Sequence, residues 1–254
     1  MKISVHSDLH LEGNRLPDGF GSNSKDVDVL ILAGDIGVSD IAFSLYKIDE
    51  EYLETLKIIY VPGNHEYYGF DFNERNDYLR KVCDNLDIHF LEPGKSVVLG
   101  EYVFVGSTCF SEMENSTVDE RIEVGYCISD FRLIKNGEKR WTVDDMVARA
   151  KEEKRSLEAT FHKHEGKKVV VCSHFPPLME VANPIFPTNA LTKYFHNDWS
   201  DLLIKYAPVA WIYGHIHFNG GPKEFCNTKL IRNQRGYNKE ASNYHYDPQH
   251  IVEI

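Results

Sequence analysis

Residues 3–10 read ISVHSDLH, a short apolar run followed directly by Asp8 and His10. Four later stretches repeat this order of an apolar run and then polar side chains: residues 29–35 (VLILAGD), 58–66 (IIYVPGNHE), 169–174 (VVVCSH) and 210–217 (AWIYGHIH). Short runs rich in Val and Ile predict strands, several of them buried on both faces. In α/β sheets, ligands bind beyond the carboxyl ends of the strands. The sequence therefore predicts a ligand site built from the polar residues that follow these strands.

The segments between these strands carry helical periodicity. The clearest runs from residue 142 to 163, where apolar residues recur at steps of three and four, and Thr142 and Asp145 form a capping-box pattern. The same patterns predict further elements: helices over 41–56 and 72–86, a hairpin turn at 99–102, and strands over 228–232 and 250–254. Together these elements predict an α/β fold of layered, mixed sheets. No repeat or linker interrupts the chain, so we expect residues 1–254 to form a single domain.

The composition is that of a globular chain of 254 residues, 42% hydrophobic and 26% charged, with enough apolar material for a substantial core. The 28 basic and 39 acidic side chains give a net charge of −11, which disfavours nucleic acid as a partner. No apolar run approaches the roughly 20 residues of a membrane span, and the first residues do not read as a signal peptide. Five widely spaced cysteines without a CxxC pair predict reduced thiols and a cytoplasmic location.

The polar residues that follow the strands are of types that bind metal ions. Carboxylate, amide and imidazole groups suit Mn, Fe, Zn, Ni or Mg better than soft ions. Seven residues are candidate ligands, too many for one tetrahedral ion but enough for two ions that share a carboxylate: Asp8, His10, Asp35, Asn64, His174, His215 and His217. Asp35 is the natural shared ligand, because a carboxylate offers two oxygens.

The charge of such a centre indicates what it binds. Two divalent ions bring four positive charges, of which Asp8 and Asp35 neutralise two, and bound ions dominate the local field. A positive hollow in a protein of net charge −11 suits a small anion. Paired divalent ions hold the attacking and leaving oxygens of phosphoryl transfer and lower the pKa of a bridging water. A phosphate-containing ligand is therefore expected.

Five motifs follow one another in a fixed order along the chain. They are D-x-H at residues 8–10, G-D at 34–35, G-N-H-E at 63–66, the single His174, and G-H-x-H at 214–217. This ordered set resembles the calcineurin-like metallophosphoesterases, and the resemblance runs along the whole chain. Residues 129–134 (SDFRLI) and 233–237 (NQRGY) are similar to segments of small bacterial-type members of that family.

The resemblance implies a four-layer α/β/β/α sandwich of two mixed sheets, with the site where the two sheets meet. It also implies two divalent ions, Mn, Fe, Zn or Ni, as cofactors. It assigns the ligands to two ions that Asp35 bridges: Asp8, His10 and His217 hold the first, and Asn64, His174 and His215 hold the second.

The activity implied by the resemblance is hydrolysis of a phosphate ester by in-line attack of a metal-bridging hydroxide. Asp35 and His65 are the expected catalytic residues. His65 would not bind metal; it would stabilise the phosphate oxygens or protonate the leaving group, with Asp35 or Glu66 as its orienting partner. Since no ligand of the family pattern is missing, an active centre is expected.

The expected substrate is a phosphomonoester or phosphodiester of a small molecule, with nucleotides among the candidates. A nuclease, a protein phosphatase and a non-catalytic protein-interaction module on the same fold are the alternatives, and the oligomeric state is not predicted. Four residues are predicted substrate contacts: Arg132, Arg235, Asp130 and Tyr67. Arginine binds phosphate in bidentate fashion, and a tyrosine ring can stack on a base or an aryl group.

Overall fold

The structure is a computed structural model that describes residues 1–38, 56–186, 188–238, 240 and 245–254. The strands are β1 (Lys2–His6), β2 (Val29–Ala33), β3 (Lys57–Val61), β4 (His89–Phe90), β5 (Ser96–Leu99), β6 (Tyr102–Ser107), β7 (Lys135–Asn136), β8 (Lys139–Arg140), β9 (Lys168–Ser173), β10 (Ala210–Ile212), β11 (Glu224–Phe225), β12 (Thr228–Ile231) and β13 (Val252–Glu253). The α-helices are α1 (Phe72–Asn85), α2 (Val118–Cys127), α3 (Asp130–Leu133), α4 (Val143–Lys163), α5 (Ala190–Phe195) and α6 (Ser200–Tyr206).

The strands form two large sheets and one small hairpin. The first sheet has the order β13-β1-β2-β3-β4, and the second has the order β11-β12-β10-β9-β6-β5. Neighbours inside each sheet run parallel, whereas β13, β11 and β5 pair antiparallel at the edges. Both sheets are therefore mixed, as the sequence predicts. The separate hairpin pairs β7 with β8.

The two sheets pack face to face, and helices cover their outer faces. Alternate residues of β1 and β2 point inward, so Val5 and Ile31 share one buried cluster with Phe104 and Val170 of the second sheet. On the outer face of the first sheet, Leu32 and Tyr60 belong to a cluster that includes residues of α1. On the outer face of the second sheet, Val171 and Trp211 cluster with residues of α4 and α6. The architecture is the expected four-layer α/β/β/α sandwich.

Local signals place most helix and strand ends correctly. Helix α4 begins after Thr142, whose hydroxyl accepts from the Asp145 N–H while the Asp145 carboxylate accepts from the Thr142 N–H, which confirms the capping box. Helix α1 begins after Asp71 and ends at Asn85, one residue before the predicted end. Leu99 and Tyr102 face each other across the predicted hairpin turn.

Two predicted strands are shorter than expected, and the residues of one predicted helix are almost all outside the described part of the chain. The strands expected over 228–232 and 250–254 span four and two residues, respectively. The helix expected over 41–56 lies almost entirely outside the described residues. In the part of the chain that the structure describes, no helix combines the length and the apolar character needed to cross a lipid bilayer.

Candidate metal centre

The loops that follow the strands of both sheets meet at one end of the sandwich. The Asp8 N–H donates to the Gly34 carbonyl at 3.0 Å, which joins the loops after β1 and β2. The Gly214 N–H donates to the His174 carbonyl at 2.9 Å, which joins the loops after β10 and β9. Across the sheets, the His215 N–H donates to Asp8 Oδ1 at 3.0 Å. The polar residues that follow the strands are thus brought together, as the sequence predicts.

The backbone at this end adopts conformations that L-residues seldom occupy. Five of the seven candidate ligands have positive φ angles: Asp8 (55°), His10 (48°), Asp35 (52°), His215 (74°) and His217 (46°). Such conformations cost on the order of 1 kcal/mol or more each and persist where the surrounding structure enforces them, often at functional sites. The fold therefore maintains backbone strain at the candidate ligands themselves.

Two glycines allow these loops to approach each other closely. A Cβ atom at Gly34, whose φ is +84°, would overlap the imidazole of His174. A Cβ atom at Gly63 would overlap the carboxylate of Asp35. The glycines that precede Asp35 and Asn64 thus each leave space for a side chain from a different motif.

Three side chains, Asp8, His10 and His217, form a first group of possible ligands, whose donor atoms all lie within 4.8 Å of one another. His10 Nε2 and His217 Nε2 are 2.9 Å apart, and Asp8 Oδ1 lies 3.4 Å from His217 Nε2. Burial raises the pKa of Asp8, but the imidazoles of His217 and His174 outweigh burial and hold that pKa below its usual range. The group therefore presents one carboxylate and two imidazole nitrogens to a single point.

A second group consists of Asp35, His174 and His215, with donor atoms again within 4.8 Å of one another. The amide oxygen of Asn64 joins this group, because Asn64 Oδ1 lies 3.2 Å from His174 Nε2. His215 Nε2 is buried and has no hydrogen-bond partner among the described residues. A buried polar nitrogen without a hydrogen-bond partner costs free energy, because it has lost its contact with water. An imidazole nitrogen in that position is suited to bind a metal ion.

Asp35 lies between the two groups. Its Oδ2 atom is 3.3 Å from His174 Nε2 in the second group and 3.9 Å from His10 Nε2 in the first. The side chain is almost fully buried, and burial raises its pKa, but His174 and His65 outweigh burial and hold the pKa of Asp35 well below its usual range. The residues therefore fit two divalent ions that share one carboxylate.

Hydrogen bonds behind the histidines orient their rings toward the centre. His174 Nδ1 donates to the Ala33 carbonyl at 2.9 Å. His10 Nδ1 lies 3.1 Å from Glu12 Oε1, and His217 Nδ1 lies 2.6 Å from Glu240 Oε2. Because the Nδ1 atom of each ring is engaged, the Nε2 atom is the one that faces the possible metal positions.

Asn64 is oriented in the same way by a buried carboxylate. Its Nδ2 atom donates to Asp130 Oδ1 at 2.9 Å, which leaves Oδ1 to face His174. Asp130 also accepts from the hydroxyls of Tyr68 at 2.8 Å and Tyr194 at 2.6 Å. Burial raises the pKa of Asp130. The structure thus places Asp130 behind Asn64, not on a surface that a substrate could touch.

His65 lies beside the two groups and is held on both sides. Its Nδ1 atom is 2.9 Å from Glu12 Oε1, and its Nε2 atom is 3.0 Å from the hydroxyl of Tyr237. Burial lowers the pKa of His65, but the carboxylates of Asp35 and Glu12 outweigh burial and raise it to about 9. Burial raises the pKa of Glu12, but the hydrogen bonds with His10 and His65 outweigh burial and lower it to about 2. His65 is therefore cationic at neutral pH in the metal-free protein.

The orienting partner expected for His65 needs a correction. Glu66 is fully buried, and in the described part of the chain its carboxylate makes no hydrogen bond with the imidazole of His65. The carboxylate accepts instead from the N–H groups of Asp35, Ile36, Gly37 and Gly63 at 2.6 to 3.2 Å. It therefore fastens the loop after β2 to the loop after β3. Asp35 accepts the backbone N–H of His65, whereas the ring of His65 pairs with Glu12.

The other three predicted substrate contacts make interactions within the protein. Tyr67 is 1% exposed, and its ring stacks on Phe72 with centroids 4.4 Å apart, so the side chain packs in the core. Arg132 Nη1 donates to the Tyr126 carbonyl, and Arg235 Nη1 donates to the carbonyl of Arg15. Both guanidinium groups are thus engaged with the backbone of neighbouring segments.

Sequence reasoning missed Glu12 and Glu240, and it did not assign Tyr237 to the site. Glu12 continues the spacing of the first motif as D-x-H-x-E, which is the signal that could have identified it. Tyr68 follows the G-N-H-E motif by two residues, and its ring centroid lies 4.2 Å from that of His65. Glu240 carries no comparable signal, because it meets His217 only through the fold.

Comparison with known proteins agrees with this geometry. The sequence model of the family described as "Calcineurin-like phosphoesterase" matches residues 1–219. The chain therefore belongs to the calcineurin-like phosphoesterase family, whose members are generally dependent on two metal ions. It is 30% identical to the uncharacterized protein L509 of Acanthamoeba polyphaga mimivirus, over 98% of this chain and 95% of that protein.

Solved structures share the fold at low sequence identity. The phosphopantetheinyl hydrolase PptH from Mycobacterium tuberculosis superposes with a TM-score of 0.71 at 21% identity, over 95% of this chain and 93% of that one. A dimetal phosphatase from Danio rerio superposes with a TM-score of 0.50 at 16% identity, over 96% and 90% of the two chains. These structures show the fold, while the family indicates a phosphoesterase, and the described residues include groups that could bind metal ions.

Proposed function

We propose that the chain is a dinuclear metal-dependent phosphoesterase acting on a small phosphate ester. The observation that carries this proposal is the position of Asp35 Oδ2 between two groups of buried ligand atoms, 3.3 Å from His174 Nε2 and 3.9 Å from His10 Nε2. Two ions held in this way supply the positive charge that binds a phosphate ester and an activated water for attack on phosphorus.

The ligand residues divide between the two positions. In the proposal, the first ion is held by Asp8, His10 and His217, the second by Asn64, His174 and His215, and Asp35 is shared. The hydrogen bonds to Nδ1 of the imidazoles keep their Nε2 atoms directed at these positions. The chain thus holds the ligand atoms of seven residues in place before the reaction, so the centre needs little rearrangement as charge develops in the transition state.

His65 is the proposed general acid. When the bond between phosphorus and the leaving oxygen breaks, a proton on His65 Nε2 passes to that oxygen, and Glu12 holds the ring through Nδ1. The raised pKa of about 9 keeps His65 protonated at neutral pH before metal binds. The hydroxyl of Tyr237, 3.0 Å from Nε2, lies where the leaving group would meet the imidazole.

The substrate class follows only in outline. Phosphomonoesters and phosphodiesters remain alternative substrates, because the proposed centre would bind the phosphate oxygens of both. The phosphopantetheinyl group in the name of the mycobacterial neighbour is a phosphate ester, so such an ester joins nucleotides in the panel to be tested. We also propose a reducing, cytoplasmic setting, supported by five free cysteines of which three are buried.

The test compares hydrolysis of bis-p-nitrophenyl phosphate and p-nitrophenyl phosphate by metal-stripped protein reloaded with Mn²⁺. We expect turnover that depends on added metal, because the stripped protein lacks the charge that binds the ester. A preference for the diester would lead to cyclic nucleotides and other diesters, and a preference for the monoester to nucleotides and sugar phosphates. No turnover with Mn, Fe, Ni or Zn would contradict the proposal and favour the non-catalytic interaction module.

A further inference from the structure

One carboxylate oxygen contacts two histidines that have different proposed tasks. Glu12 Oε1 lies 3.1 Å from His10 Nδ1 and 2.9 Å from His65 Nδ1. The two imidazoles meet edge to face, with ring centroids 4.5 Å apart and planes inclined at 66°. An ionised carboxylate accepts several hydrogen bonds and donates none, so one oxygen can serve both Nδ1–H groups. Glu12 thereby fixes the angle between the two rings.

This shared contact decides which nitrogen of each ring faces the centre. With Nδ1 directed at Glu12, His10 presents Nε2 to His217 Nε2 at 2.9 Å. In the same way, His65 presents Nε2 to the hydroxyl of Tyr237 at 3.0 Å. A glutamine at position 12 could place one oxygen at the same point, but it lacks the negative charge that makes hydrogen bonds to a carboxylate about twice as strong as neutral ones. Both rings therefore depend on one carboxylate for their orientation.

We propose that Glu12 is a positioning residue that couples the metal centre to the acid, because it orients the metal ligand His10 and the acid His65 together. This inference rests on the proposed function, which assigns those two tasks. It adds that loss of Glu12 damages metal binding and leaving-group protonation at once, because Glu12 contacts one residue of each task.

Glu240 provides a matched control within the same centre. Its Oε2 atom lies 2.6 Å from His217 Nδ1, so it orients a metal ligand as Glu12 does. In addition it accepts the Tyr237 N–H at 2.9 Å, a contact that a glutamine oxygen can keep. No contact between Glu240 and His65 is found in the described part of the chain. Glu240→Gln therefore removes the carboxylate behind the proposed metal ligand His217 and changes no direct contact of the proposed acid His65.

The first measurement is metal affinity, by calorimetric titration of Mn²⁺ into stripped protein. Glu12→Gln and Glu240→Gln should each weaken binding about 10- to 100-fold, as losses behind metal-binding histidines usually do. Glu12→Asp keeps the charge but shortens the side chain by one methylene, so it should also lose affinity. Wild-type affinity in Glu12→Asp would show that charge alone suffices and would overturn the positioning role.

The second measurement separates the acid from the metal. At saturating Mn²⁺, rates are compared for a p-nitrophenyl ester, whose leaving group needs little protonation, and the matching phenyl ester, whose leaving group needs more. Glu12→Gln should slow the phenyl ester at least tenfold more than the p-nitrophenyl ester, since general acids contribute about 10²- to 10⁴-fold. Glu240→Gln should leave the ratio of the two rates unchanged. Equal slowing of both esters by Glu12→Gln would overturn the coupling.

The third measurement needs no turnover. Long-range ¹H–¹⁵N spectra of metal-free protein resolve the two ring nitrogens of each histidine, and each signal responds to the hydrogen bond that its nitrogen makes. Glu12→Gln should shift the ring signals of both His10 and His65, and Glu240→Gln should shift those of His217. A change confined to His10 would overturn the inference. If neither ester is hydrolysed, the proposed function fails, while the spectra and the metal titration still decide whether Glu12 orients both rings.

Discussion

At the scale of single residues, buried carboxylates decide which atoms face the candidate metal centre. Asp130 is the clearest example, because it accepts hydrogen bonds from Asn64, Tyr68 and Tyr194 while fully buried. An asparagine amide can be rotated to present either oxygen or nitrogen, and only the oxygen can bind a metal ion. Asp130 excludes the rotated form, because an acceptor-only carboxylate pairs with Nδ2.

Asp130→Asn should weaken metal binding about 10- to 100-fold, since an amide at position 130 no longer forces Asn64 to direct its oxygen at the centre. Titration of Mn²⁺ into stripped protein measures the effect. Asp84→Asn on the exposed surface of α1 is the control, because it makes the same chemical change far from any described contact with Asn64. Equal affinities of the two variants would show that Asp130 does not orient Asn64.

At the scale of elements, the site depends on how two loops are fastened. Glu66 lies in a short 3-10 helix, His65–Tyr67, that follows β3. Each oxygen of its carboxylate accepts hydrogen bonds from two backbone N–H groups. Three of these N–H groups belong to the loop after β2, at Asp35, Ile36 and Gly37. Asp35, the proposed shared ligand, is therefore held through its own backbone N–H as well as by its neighbours.

Glu66→Gln should lower the free energy of unfolding of the stripped protein by about 2–4 kcal/mol, because an NH₂ group replaces one oxygen and leaves buried N–H groups without an acceptor. Urea unfolding measures this change. Glu74→Gln, at an exposed position in the first turn of α1, is expected to stay within about 0.5 kcal/mol of wild type. A loss for Glu66→Gln no larger than that of the control would refute the fastening role.

At the scale of the whole molecule, the centre gathers charge that the fold must balance. The chain carries a net charge of −11, and the buried carboxylates of its centre favour the protonated forms of His65 and His174 in the metal-free protein. Burial lowers the pKa of His65 and of His174, but Asp35 and the other carboxylates outweigh burial and raise each pKa to about 9. In the metal-free protein, protons on these histidines thus supply part of the positive charge that metal ions would otherwise supply.

Stripped protein should lose stability as the pH rises from about 6.5 to about 9. The raised pKa values mean that protonated His65 and His174 stabilise the fold fully below the unfolded value of about 6.5, and this stabilisation is lost as the pH passes the folded value. The loss is at most about 3 kcal/mol for each histidine. Urea midpoints across this window measure it.

Metal-loaded protein is the control for this pH dependence. Bound ions replace the protons as partners of the carboxylates, so its urea midpoints should change much less over the same range. A flat profile for stripped protein, or parallel profiles for the two forms, would show that these histidines are not stabilised as cations in the fold.

The sequence by itself determined the elements and the ligand types. ISVHSDLH and VLILAGD each contain an apolar run followed by polar residues, and this order specifies strands that end in candidate ligands, because strand formation and binary pattern are local properties. The capping pair Thr142 and Asp145 likewise lies within one helical turn. The fixed order of the five motifs indicated the calcineurin-like family, and the family match over residues 1–219 confirms it.

Only the tertiary structure decided how the side chains around the centre are paired. Glu12 meets His65 across 53 residues, Asn64 meets Asp130 across 66, and Tyr237 meets His65 across 172. Tyr67 and Tyr68 are adjacent in sequence, yet one packs in the core on Phe72 and the other contacts His65. Such pairings arise from the packing of loops from two sheets. A local pattern specifies which groups a strand delivers, but not which distant group will lie beside them.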